Sequence, residues 1–262
     1  MAGDGLDDTW HVSWVVKVGV AIVVVVLGVV AWSAFRPFTY HINDAPWDAG
    51  VVAADGRSLT VTFTGVAARG QPADLCWQGY EGVAVDAGDH VEVTVQRFQS
   101  ATIRHALQNT TCTAPGFPRT VRVDLPTPLA GRRVVDPSLG RDRPVVDGAQ
   151  LAGLQDQPGG ATLTAETAKP LTRGGAMSVR TYTLANGTSV DLTQSADRLP
   201  PADRNAASTN VEVHGQPAQY LDADRTAYVE WQEHDQWLRL STTSAPLPQD
   251  QLREIAERSH VP

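Results

Sequence analysis

The sequence predicts a mainly β protein: an N-terminal transmembrane helix, a β-sandwich-like domain, then an α+β domain made of an antiparallel sheet with a C-terminal helix. Three observations predict it. Residues 18–35, VGVAIVVVVLGVVAWSAF, form an 18-residue run without a charge. Beyond Pro37 the apolar residues recur with period two, and near the C-terminus they return to helical spacing. The expected boundaries are a cytoplasmic tail at 1–11, the membrane helix at 12–36, the first β domain at 39–136, a linker at 137–175 and the second domain at 176–262.

At 1.5 Å per residue the uncharged run is about 27 Å long as a helix, close to the hydrocarbon thickness of a bilayer. Extending it back to Val12 adds Lys17 as the single charge, whose aliphatic stem lets the ammonium reach the headgroups. Trp10, Trp14 and Trp32 lie near the ends, where amphipathic rings favour the interface. A core helix would show one polar face, and this run is apolar all round. A cleaved signal peptide is the other alternative, with Ala31 and Ser33 spaced as before a cleavage site. Against it, the run exceeds the usual apolar length, and Asp4, Asp7 and Asp8 stand where such peptides carry positive charge. No cysteine follows the run directly, which excludes a lipoprotein anchor.

Lys17 on one side and Arg36 on the other leave the orientation open by charge. The cysteines bear on it. The chain has two, Cys76 and Cys112, both in segments that read as β structure, and a disulfide between them implies an oxidising compartment for the C-terminal part. Closing that loop would stabilise the domain by about 4 kcal/mol on the chain-entropy model. Two unpaired buried thiols are the alternative. Two cysteines without a nearby histidine pair are too few for a metal site, so neither metal nor cofactor is expected. A net charge of -8 and an acidic pI exclude a basic nucleic-acid footprint. Lys17 and Lys169 are the only lysines beside many arginines, the usage of a high-G+C bacterial genome.

In the first β domain SLTVTF places Leu59, Val61 and Phe63 on one face. HVEVTV does the same with Val91, Val93 and Val95, and RTVRVDL with Val121, Val123 and Leu125. Asp55-Gly56 and the stretch Asp86 to Asp89 are turn chemistry between strands. Cys76 and Trp77 are adjacent, so their side chains point to opposite faces, unlike the tryptophan packed on an immunoglobulin disulfide. From Asp136 to Gly175 the periodicity fades and turn formers concentrate, which reads as a linker. The second domain opens with a hairpin around Asn186-Gly187, followed by a strand pair turning at Gly215 to Pro217. PQDQLREIAERS then reads as a helix with Leu252, Ile255, Ala256 and Ser259 on one stripe.

The densest set of reactive side chains is EWQEHDQWLRL, residues 230–240. With strands on both sides, Glu233, His234 and Asp235 fall in the connection of a hairpin whose core face is Val229 and Trp231 against Leu238 and Leu240. His234 would need a histidine or carboxylate from far away to act, and no spacing predicts one. There is no GxSxG, HExxH, Walker A or GxGxxG motif, and His41, His90, His105, His214 and His260 read as surface or satisfied residues. No catalytic residue is expected.

The last part of the chain, Val211 to Ser259, resembles an uncharacterised bacterial extracytoplasmic domain through VEVHGQPAQYL, VEWQEHDQWLRLST and LPQDQLREIAERS. That domain is found in single-pass membrane proteins and behind membrane-bound anti-sigma regulators. The resemblance implies location rather than a catalytic residue. The eleven to seventeen residues before the helix are too few to hold a sigma factor. The expectation is therefore a non-enzymatic, single-pass protein of the cell envelope whose C-terminal region lies outside the cytoplasm and binds or senses. Its expected partners are the lipid bilayer and an envelope protein. A structural subunit of an envelope complex and a hydrolase with dispersed acids, Glu230 or Glu233 among them, are the alternatives.

Overall fold

A computed structural model describes residues 8–35, 38–66, 77–101, 116–154, 160–172, 174–200, 207–223, 226–243 and 246–262. The protein is mainly β, with several sheets. Cys76 and Cys112 lie outside the described residues.

The N-terminal helix α1 spans Asp8–Phe35. Its described side chains, residues 17–32, are exposed throughout. Among the described residues no helix is long and apolar enough to cross a membrane. A bilayer core takes roughly 20 residues of helix, and the described side chains of α1, residues 17–32, number fewer than that.

The chain divides into two compact units. One comprises Met1–Ile42, Val66–Gly79 and Arg97–Pro115. Within it the His41 ring meets Phe98 edge-on at 5.7 Å between centroids, and Ser100 N donates to Trp77 O at 2.9 Å. The other comprises Asn43–Gly65, Tyr80–Gln96 and Gly116–Pro262, and all three hydrophobic clusters lie in it.

The valine alternation accounts for the first cluster. Strands β1 (Phe38–Ala45), β2 (Trp47–Val52), β3 (Ser58–Val66), β4 (Gln78–Asp86), β5 (His90–Ala101) and β6 (Gly116–Asp124) precede the short β7 (Arg133–Asp136), β8 (Arg141–Asp142) and β9 (Val145–Asp147). They form one sheet in the order β6-β3-β2-β9 and another in the order β1-β5-β7-β8, with β4 also on β5. Leu59, Val61 and Phe63 of β3 and Val91, Val93 and Val95 of β5 are buried in one cluster around Trp47. Trp47 Nε1 donates to Val93 O at 2.9 Å, so its polar edge is satisfied inside that core.

Residues 137–175, which the composition marks as a linker, carry ordered elements. β8 and β9 lie there, followed by a 3₁₀ turn at Gly148–Gln150, β10 (Gly153–Leu154) and β11 (Thr162–Pro170). Strands β8, β9 and β10, of two or three residues, are too short to show periodicity, and β11 is mostly exposed and carries almost no apolar alternation. β9 runs parallel to β2 through Val51↔Val146, and the far face of β2 buries Ala49 and Val51 against Leu151 and Ala168.

The C-terminal sheet has seven strands in the order β11-β12-β13-β17-β16-β15-β14. Beyond β11 these are β12 (Ala176–Thr183), β13 (Ser189–Ser195), β14 (Ala207–Val213), β15 (Gln216–Ala223), β16 (Thr226–Glu233) and β17 (Gln236–Thr242). The hairpin core face is as the alternation requires: Val229 pairs with Leu240 and Trp231 with Leu238, all buried. Helix α2 (Gln249–Ala256) seals this face with Leu252 and Ala256. The helix ends before Ser259, whose Oγ donates to Ala256 O at 2.7 Å, and Ser259–His260 forms β18 against β10.

Candidate functional site

The connection between β16 and β17 is two residues long, His234 and Asp235, with φ of 46° and 60°. Two successive left-handed residues are the signature of a type I′ turn, whose twist matches that of the flanking strands. Glu233 therefore belongs to β16 and not to the connection. The turn joining β14 and β15 has the same form at His214 and Gly215, with φ of 53° and 70°. It starts one residue earlier than the expected turn at Gly215 to Pro217, and Pro217 sits within β15 opposite Glu212.

The register β15/β16, Ala218↔Trp231, brings these two turns side by side. His214 Nδ1 donates to Glu233 Oε2 at 2.9 Å, and Trp231 Nε1 donates to the same oxygen at 3.2 Å. On the other side of the ring His214 Nε2 donates to Glu257 O at 3.0 Å, beyond the end of α2. His214 N donates to Glu257 Oε2 at 2.9 Å. The histidine that Glu233 meets is thus His214, which the spacing did not single out. Its signal was present in the repeated frame of VHGQ at 213–216 and EHDQ at 233–236, each a two-residue turn opening with histidine.

Burial pulls the His214 pKa down, but its bonds to Glu233 and Glu257 prevail and raise it. Burial likewise pushes Glu233 up, and the donors His214 and Trp231 bring it below the ordinary carboxylate range. With acceptors on both ring nitrogens, only the doubly protonated imidazolium satisfies the arrangement. Such a ring has no lone pair to accept a proton. The cluster fastens α2 to two hairpin turns, and His234, 71% exposed, has its Nδ1 4.0 Å from the other oxygen of Glu233, Oε1.

Glu230 and Glu233 are three residues apart on one strand and face opposite sides of the sheet. Glu230 faces away from α2, on the open face. There Arg239 Nε donates to Glu230 Oε2 at 2.9 Å, Arg239 Nη2 donates to Pro200 O at 2.7 Å, and the guanidinium lies 5.0 Å from the centre of the Tyr228 ring.

These groups floor a cavity of about 610 Å³ on the open face. Leu221 and Tyr228 of the sheet, together with Leu171, Leu199 and Pro200, give it an apolar wall, and Gln219 lies beside the ion pair. A second cavity, of about 780 Å³, adjoins it and shares Arg198, Gln219 and Glu230. Comparison with protein-family models, with curated proteins and with solved structures finds no match.

Among the described residues no group of three or more His, Cys, Asp or Glu is placed to hold a metal ion. What the geometry offers is a half-open groove with an apolar wall and hydrogen-bonding groups along one side. Its volume is in the range of small-molecule sites.

Proposed function

We propose that this is a single-pass membrane protein of the bacterial cell envelope whose β-rich C-terminal part binds a ligand without catalysis. The observation that carries the reading is the groove on the open face of the seven-stranded sheet. Its floor ion pair, Glu230–Arg239, is already satisfied within the protein, which suits a recognition surface better than an acid awaiting a proton.

The anchor is supported by the uncharged run 18–35 and by the exposure of Ile22, Val25 and Leu27 around the described part of α1. A Cβ added at Gly19 or Gly28 would meet no described atom within 4 Å. Lipid is the occupant that such a surface calls for. A Cys76–Cys112 disulfide, a sandwich-like packing of the first two sheets, and the resemblance of residues 211–259 to an extracytoplasmic domain fit the same location.

Membrane fractionation and a thiol-labelling experiment test it. The full chain is expected in the alkali-resistant membrane fraction. Its two thiols are expected to react with a membrane-impermeant maleimide on intact cells only after reduction. Extraction by alkali, or labelling of the thiols only after cell lysis, overturns the anchored, outward-facing reading.

A further inference from the structure

The groove also constrains the class of ligand, and this step rests on the reading that the open face binds one. We infer that the groove takes a neutral oligosaccharide.

The first argument is charge. The first cavity is lined by two carboxylates, Asp197 and Glu230, against two guanidinium groups, Arg198 and Arg239. Glu230 and Arg239 are hydrogen-bonded to each other, and the Arg198 guanidinium lies over the Trp237 ring at 5.4 Å from its centre. In the second cavity Glu212 and Asp250 add two further carboxylates and Arg253 one further cation. A polyanion meets carboxylates along the groove and a polycation meets guanidinium groups. A ligand without net charge meets no repulsion from either.

The second argument is hydrogen-bonding capacity. Register places Asn210, Gln219 and Glu230 in one cross-strand row and Glu212, Pro217, Gln232 and Trp237 in the next row on the same face. The side chains of Asn210, Gln219 and Gln232 make no hydrogen bond to another described residue. Each primary amide presents a donor pair and an acceptor together, the complement of neighbouring hydroxyls that both give and take. Three such groups in adjacent strands, without a hydrogen-bond partner among the described residues, suit a polyol better than an aliphatic or a charged ligand.

The third argument is shape. A pyranose has an apolar C–H face and a polar rim, and the face pairs with aromatic or aliphatic walls. Trp237, Tyr228 and Leu221 stand beside the amides on the open face, with one face of each ring under a guanidinium, Arg198 over Trp237 and Arg239 over Tyr228. From β14 to β17 the row crosses three strand spacings, about 14 Å, which is longer than one sugar ring. A short chain of sugars fills it where a monosaccharide would not.

The test uses the full chain in detergent micelles and titrates neutral linear oligosaccharides of four to six units, with glucan, mannan, galactan and arabinan backbones. A sialylated or uronic-acid oligosaccharide, an unstructured peptide and a long-chain fatty acid serve as comparisons, all followed by calorimetry. Saturable binding of a neutral oligosaccharide is expected, weakened at least tenfold by Gln219→Ala and by Trp237→Ala, with the melting temperature of Gln219→Ala unchanged. Ala substitution at the exposed Gln232 gives a second variant on the same row. If the peptide or the fatty acid binds instead, and Gln219→Ala or Trp237→Ala weakens it, the groove is a binding site and the glycan class is wrong. If no probe binds, or if binding survives all three substitutions, both the class and the assignment of the groove fall.

Discussion

His214 and Glu233 hold each other across two neighbouring hairpins, Nδ1 to Oε2 at 2.9 Å, and the same imidazole reaches the backbone of Glu257 beyond the end of α2. A positive charge there also lies favourably with respect to the helix dipole. The contact ties a strand end, a turn and a helix terminus at one point, so its protonation is linked to the docking of α2.

The linkage has a sign in each arm. His214 is raised, so its contribution is complete below the ordinary histidine value and is lost as pH rises through the raised one. Glu233 is lowered, so its contribution is present above the ordinary carboxylate value and is lost as pH falls through the lowered one. Stability of the α2 docking is therefore expected to be greatest between about pH 4.5 and 6.5 and to decline on both sides. His214→Asn keeps a residue that tolerates the left-handed backbone while removing the imidazolium, and should cost about 1–2 kcal/mol near pH 6. Thermal melts of the two proteins from pH 4 to 9 check this. A constant difference across that range would sink the linkage, and convergence at alkaline pH would support it.

The β16–β17 turn places a non-glycine residue at each of two left-handed positions. Asp235 makes no hydrogen bond or ion pair to another described residue, so no described contact of its side chain offsets its backbone cost. Asp235→Gly is expected to stabilise the protein by about 1 kcal/mol, because glycine accepts that φ without a Cβ clash. A chemical denaturation curve reads the change. A loss of stability would mean that the Asp235 side chain supports the turn in a way the structure does not display.

The hairpin around His234 was legible because Val229, Trp231, Leu238 and Leu240 alternate on strands bounded by polar residues, and alternation is a local property. The buried triplets of β3 and β5 were legible for the same reason. The His214–Glu233 contact was not, since it depends on the β15/β16 register, which no local pattern states. In 137–175 the strands β8, β9 and β10 were hidden because elements of two or three residues leave only their Gly and Pro turns to read, and β11 because TLTAETAKP, mostly exposed, carries almost no apolar alternation. The groove was hidden for a different reason. Its amides and aromatics come from four strands, with Asp197 to Pro200 lining it beside them, and nothing in any one stretch marks them as neighbours.

Asp136 shows how one such non-local group stabilises the core. The residue is 1% exposed and its partner Arg143 8%, with Arg143 Nη2 donating to Asp136 Oδ2 at 3.1 Å. Trp47 N donates to Oδ2 at 3.3 Å, while Ser138 N and Ser138 Oγ both donate to Oδ1, at 3.0 and 2.6 Å. The Arg143 guanidinium also lies 5.9 Å from the centre of the Trp47 ring, whose indole is the centrepiece of the β2–β5 cluster. Asp136→Ala strands a buried cation and two backbone donors together, so a loss of about 3–5 kcal/mol is expected. Arg143→Met removes the cation while leaving a carboxylate that keeps three protein donors, and should cost less. Equilibrium unfolding of both variants reads the difference. If the arginine variant proves the more damaging, the stacking on Trp47 rather than the carboxylate holds this corner of the fold.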